Sequence, residues 1–99
     1  MANPADGEAR IVALRGEMDE ADRALLLALA ARRAVSRKMA EVKRAEGLPF
    51  RDEAREAELL RRVAGEGAEL GLPAGLIAEL YPILLRDSLE IQESAGKAT

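Results

Sequence analysis

The sequence predicts an all-α domain of three helices, and three observations carry that expectation. Apolar residues recur in a three-four rhythm at Ile11, Leu14, Met18, Ala21, Leu25, Ala28, Val35, Met39 and Val42. That spacing holds one stripe of a helix against a partner. Alanine, leucine, glutamate and arginine dominate the composition, all strong helix formers, and no segment alternates as a half-buried strand would. Hydrophobic residues make up 48% of the chain, yet only one Tyr and one Phe are among them, so the core must be aliphatic side chains packed between helices.

The first helix starts near Pro4-Ala5-Asp6, where Asp6 can cap, and runs unbroken to about Ala45, with Gly16 its one weak interior residue. Such a helix is roughly 60 Å long at ~1.5 Å per residue, about twice the width of a small domain. A chain of 99 residues cannot cover that stripe alone, so a homodimer with paired long helices is expected. Glu46-Gly47-Leu48-Pro49-Phe50 ends the helix, Gly47 suiting a C-cap and Pro49 blocking continuation. Asp52 reads as the N-cap of a second helix with apolar positions Leu60, Val63 and Leu70, softened at its far end by Gly65, Gly67 and Gly71. Pro73 fits the first turn of a third helix carrying Leu76, Ile77, Leu80, Leu84 and Ile91. Pro82 falls inside it, where a kink or a lost hydrogen bond is expected. The domain is read as residues 8–95, between short tails at 1–7 and 96–99.

Composition excludes several classes of function. The net charge is −3, with acids and bases interspersed, which argues against nucleic acid or an anionic membrane surface as partner. Without cysteine there is no disulfide or thiol chemistry, and without histidine the usual general base and commonest metal ligand are missing. No metal site is expected. No apolar run approaches the ~18 residues of a membrane span, and residues 1–10 do not resemble a signal peptide, so a cytoplasmic protein is expected.

One residue breaks the apolar rhythm. The slot between Ala28 and Val35 holds Arg32, and the stripe positions one turn away are Ala28, Leu29, Val35 and Ser36, none of them an acid. A guanidinium on a packing seam is costly unless an anion meets it, and it does not escape by deprotonating. Arg32 is therefore either a snorkelling, register-setting cation or part of an anion site. Other polar residues share this ambiguity. Lys43 lies three turns beyond Arg32, about 16 Å along the axis and ~20° around it. Glu56 precedes Leu60 by one turn, and Ser88 and Gln92 are one turn apart in line with Leu84. Singly they read as a dipole-matched cation, a helix-start acid and edge positions. Together they describe two long cations, an acid and two neutral hydrogen-bonders suited to a small, multiply anionic ligand bearing a hydroxyl.

The series Leu14-Arg15, Asp19, Ala31-Arg32-Arg33, Lys43, Pro49, Arg51-Asp52, Arg55-Glu56, Asp87-Ser88 and Gln92 resembles the all-helical chorismate mutases over about residues 8 to 95. The resemblance implies an intertwined homodimer with two equivalent sites that converts chorismate to prephenate without a cofactor, for phenylalanine and tyrosine biosynthesis. It implies that Arg32 and Lys43 hold substrate carboxylates, that Lys43 and Gln92 donate to the ether oxygen, and that Glu56 with the backbone at Asp52 holds the ring hydroxyl. Arg55 and Ser88 would complete the pocket, and Arg15 would enter from the partner chain.

Geometry supports that last assignment: Arg15 and Lys43 are roughly 42 Å apart along a straight helix, too far to meet one small ligand from a single chain. The chemistry matches the inventory too, because a [3,3] rearrangement transfers no proton and forms no enzyme adduct. Isochorismate–pyruvate lyases and aminodeoxychorismate mutases share the fold and nearly the same cations, so fold alone does not exclude them. In a non-catalytic helical interaction module the polar seam residues would only set register. Whether a larger shikimate-pathway enzyme partners this chain is not written in the sequence.

Overall fold

Pro4 opens the first helix, where its missing N–H costs nothing and its fixed φ is already helical. The computed structural model describes residues 4–97, with side chains over residues 5–94. Its helices are α1 (Pro4–Glu46), α2 (Glu53–Glu69) and α3 (Ala74–Lys97), and no strand occurs among the described residues. The all-α expectation holds. Asp6 lies within the first turn of α1 rather than at its cap, where its charge still complements the positive end of the helix dipole.

The chain divides into two units, residues 1–32 and 33–99. In the first, α1 is a lone helix. Its apolar side chains Ile11, Val12, Leu14, Met18, Leu25, Leu26 and Leu27 are 48–65% exposed, so nothing within the unit covers the predicted stripe.

The second unit holds the end of α1 together with α2 and α3. Gly47 stops α1 as expected, with φ +66, a left-handed conformation that only glycine adopts cheaply. Its N–H reaches the Arg44 carbonyl at 3.3 Å, and the Leu48 N–H reaches the Lys43 carbonyl at 2.8 Å. This pairing is a Schellman cap. Asp52 caps α2 as expected: its backbone is extended, and its carboxylate accepts the Arg55 N–H at 3.0 Å.

The glycine-rich end of α2 is helical up to its cap, and Gly67 has a packing role there. The helix continues through Gly65 and Gly67 to Glu69, and a second Schellman cap closes on Gly71, φ +75, with the Leu72 N–H on the Gly67 carbonyl at 2.8 Å. Gly67 is buried because α3 passes directly over it. A Cβ there would sit 2.9 Å from Ile77 Cγ1. Pro73 precedes α3 by one residue, and its carbonyl takes the Leu76 N–H at 3.1 Å and the Ile77 N–H at 3.4 Å. α3 remains one helix across Pro82, whose ring is exposed.

Leu59 and Val63 of α2 and Ile77 of α3 form the buried core, with Tyr81 and Leu85 packed against them. Val63 is buried as expected, with Leu59 and Gly67 one turn to either side on the same face, while Leu60 and Leu70 are exposed. α1 contributes a fully buried Ala40 and Ser36, while Val35, Met39 and Val42 stay 44–58% exposed. At 100° per residue, the Ser36–Ala40–Lys43 face lies about a quarter turn from the Val35–Met39–Val42 face. α1 packs on its own chain through one face and leaves the apolar stripe open on another.

Candidate active site

Side-chain bridges join α1 to α3 among the described residues of the second unit. Arg33 Nε donates to Asp87 Oδ2 at 3.1 Å, Ser36 Oγ to Ser88 Oγ at 2.8 Å, and Lys43 Nζ to Gln92 Oε1 at 3.0 Å. Residue numbers rise together along both helices, so the two segments run parallel. Lys43 also donates to the Phe50 carbonyl at 2.7 Å. The glycine turn makes this reach possible: capping on the Lys43 and Arg44 carbonyls reverses the chain immediately after α1 and brings the Phe50 carbonyl back over the Lys43 ammonium.

The Lys43–Gln92 contact settles the orientation of a buried amide. Gln92 is only 5% exposed, and an ammonium can only donate. The oxygen of the amide therefore faces Lys43, and Nε2 faces away. The third ammonium N–H and the amide N–H groups are the donors this pair can turn toward a ligand. No buried side-chain nitrogen or oxygen among the described residues lacks a partner.

A second polar group gathers at the start of α2. Glu56, half-buried, accepts from Arg51 Nε at 2.9 Å, and Glu53 approaches the same guanidinium at 3.6 Å. The hydrogen bond that Arg51 donates to Glu56, then the charge of Glu56 and that of Glu53, raise the Arg51 pKa above its ordinary value. Asp52 spends its carboxylate on the helix cap and its carbonyl on the Glu56 N–H at 3.0 Å. Arg55 points elsewhere: its exposed guanidinium binds Glu58 at 3.0 Å.

The structure therefore brings Lys43, Ser88 and Gln92 to one α1–α3 seam and sets Asp52 and Glu56 on the first turn of α2. It does not bring Arg55 to either group. Arg32, half-buried, and Arg15, exposed, both belong to the first unit. Three participants escaped the sequence reading. Ser36 was visible as the residue one turn after Arg32, and a buried hydroxyl beside Ala40 was its signal. Arg51 was visible only as part of a motif. The Phe50 carbonyl carries no side-chain signal. Among the described residues no group of three or more His, Cys, Asp or Glu is placed to hold a metal ion, and no helix is long and apolar enough to cross a membrane.

The family described as chorismate mutase type II matches residues 14–93 of this chain. The chain belongs to the chorismate mutase type II family. The matched span opens one residue before Arg15 and closes one after Gln92, so it contains every candidate site residue. The chain is similar to a T-protein of Enterobacter agglomerans, 35% identical over 91 residues, which is 92% of this chain and 24% of the relative. It is also similar to a bifunctional chorismate mutase/prephenate dehydratase of the same organism, 33% identical over 84 residues, or 85% of this chain and 22% of that protein. The chain spans about a quarter of the length of these curated relatives.

Proposed function

We propose that this chain is a chorismate mutase, rearranging chorismate to prephenate by a cofactor-free [3,3] shift in a homodimer with two equivalent sites. The observation that carries the reading is the Lys43–Gln92 pair: a cation and an oriented amide, 3.0 Å apart on two parallel helices, within a family of this activity.

In the rearrangement the ether C–O bond breaks as a C–C bond forms, six electrons moving in one ring with no proton transferred. The uncatalysed barrier reflects two demands: folding the substrate into a compact chair, and accommodating the charge that grows on the ether oxygen. Lys43 and Gln92 Nε2 meet the second by donating to that oxygen as its bond stretches. Such donors act more strongly on the transition state than on the ground state, which is what accelerates a chemical step. Arg32, and Arg15 supplied by a second copy, meet the first by gripping the carboxylates, where the guanidinium fork binds bidentately. Glu56 accepts a hydrogen bond from the ring hydroxyl, and the Asp52 N–H is what that residue has left to offer the hydroxyl oxygen. Arg55 completes the pocket by exchanging Glu58 for substrate, a rotation of an exposed side chain. The open stripe on α1, from Ile11 through Val42, is the surface the second copy covers.

The test follows the loss of chorismate absorbance, identifies the product, and runs isochorismate in parallel. Prephenate from chorismate supports the proposal. Pyruvate released from isochorismate, with chorismate untouched, would reassign the chain to the lyases of the same fold. A folded protein that turns over neither substrate is then given aminodeoxychorismate, and inactivity on all three would leave the helical interaction module.

A further inference from the structure

Ser36 is polar where its surroundings ask for an apolar residue. It lies on the α1 face that packs on the same chain, one turn before a fully buried Ala40, and is itself 4% exposed. Alanine would suit both the helix and the small space, since serine is the poorer helix former and a buried hydroxyl costs free energy unless it is bonded. Its hydroxyl donates to Ser88 Oγ at 2.8 Å. Both partners are short, so this contact demands close approach of the two backbones. Arg33 and Lys43, on either side, span the seam with long side chains. The Ser36–Ser88 bond is the rigid point among these bridges, and it ends on a residue of the proposed pocket.

We infer that Ser36 is a positioning residue for substrate: its hydroxyl fixes the rotamer of Ser88 and the α1–α3 spacing there, and it acts on binding through Ser88 without touching the reacting atoms. This inference rests on the chorismate mutase reading. A serine side chain has three staggered rotamers, and a donor held in place by a buried helix face selects among them. A contact that grips substrate equally in ground and transition states changes KM and leaves kcat alone. The consequence of losing Ser36 is therefore weaker binding, with chemistry preserved in the substrate that does bind.

The experiment measures kcat and KM for chorismate in the wild type, Ser36→Ala, Ser88→Ala and the double variant, with thermal unfolding of each as the folding control. Alanine is smaller than serine and favours the helix, so Ser36→Ala is expected to fold. It should raise KM about 3- to 10-fold with kcat within about 2-fold, and add nothing further in the Ser88→Ala background. Ser36→Cys, similar in size with a weak donor, should recover part of the loss. Wild-type KM in Ser36→Ala, or an equal increase in both backgrounds, would overturn the inference while the activity reading stands. Wild-type protein without chorismate turnover would remove the activity reading, and the inference with it.

Discussion

Lys43 Nζ and Gln92 Oε1 lie 3.0 Å apart across the α1–α3 seam, and this one bond does two things. It holds a buried amide in the orientation that turns its N–H groups away from the cation, and it keeps an ammonium close to them. An ammonium beside an amide, neither of which must first lose or gain a proton, would suit a reaction in which charge grows on a single oxygen.

Lys43→Ala should lower kcat/KM at least about 100-fold, the usual cost, ~3 kcal/mol, of losing a donor that strengthens in the transition state. It should also lower stability by about 1–3 kcal/mol, because Gln92 Oε1 loses its donor in a buried position. Arg32→Ala should show a comparable kinetic loss with little change in stability. Kinetics in the wild-type range from either variant, with folding checked by circular dichroism, would remove that residue from the site.

Wild-type activity should be nearly flat from about pH 6 to 9. The sequence has no histidine or cysteine, the side chains whose ordinary pKa values lie nearest that window, and Gln92 is neutral throughout. Gln92→Glu should change the profile. A carboxyl donates to the ether oxygen only when protonated, and its ordinary pKa of ~4.3 is held down by the adjacent Lys43 ammonium. Activity should then rise toward low pH and fall by about 10-fold or more between pH 5 and pH 8. Equal kcat/KM at the two pH values would show that position 92 donates nothing in the transition state.

Local chemistry explains which features could be read in advance. Gly47 and Asp52 were readable as caps because a left-handed turn and an N-cap carboxylate are demands made by neighbouring residues alone. Lys43 and Gln92 were readable because a familiar series of residues carried them. Gly67 has a packing reason that its own segment does not show, Ile77 on another helix. On α2 Val63 is buried as expected, but Leu59 and Leu60 are equally apolar on either side of that line, and only the position of α3 chooses between them. On α1 the rhythm of Val35, Met39 and Val42 was clear, yet the face packed on the same chain is Ser36 and Ala40, small residues that give a weak apolar signal. Arg55 shows the limit in the other direction. Its place in the series marks it for the pocket, while its guanidinium rests on Glu58.

The two glycines near the end of α2 should respond oppositely to alanine. Gly65 has nothing within 4 Å of an added Cβ, so Gly65→Ala should stabilise by about 0.5–1 kcal/mol through helix propensity. Gly67→Ala places a methyl 2.9 Å from Ile77 Cγ1, which is not the free end of that side chain, and should destabilise by about 1–3 kcal/mol. Urea midpoints measured at constant slope read both effects. Stabilisation by both substitutions would mean that α3 does not press on α2 at Gly67.

If Arg15 is supplied by the second copy, two inactive variants should rescue each other. Arg15→Ala and Lys43→Ala homodimers each carry one lesion in both sites and should both be nearly dead. In a mixed dimer one site collects both lesions. The other combines an intact Lys43 from one subunit with an intact Arg15 from its partner. Random exchange yields about half mixed dimers, each with one working site, so activity should return to roughly a quarter of the wild-type value per subunit. Unfolding should also become harder as protein concentration rises, because a second copy would then cover the apolar stripe on α1. A mixture that stays as inactive as its parents, with subunit exchange demonstrated by native mass spectrometry, would place Arg15 outside the site or confine each site to a single chain.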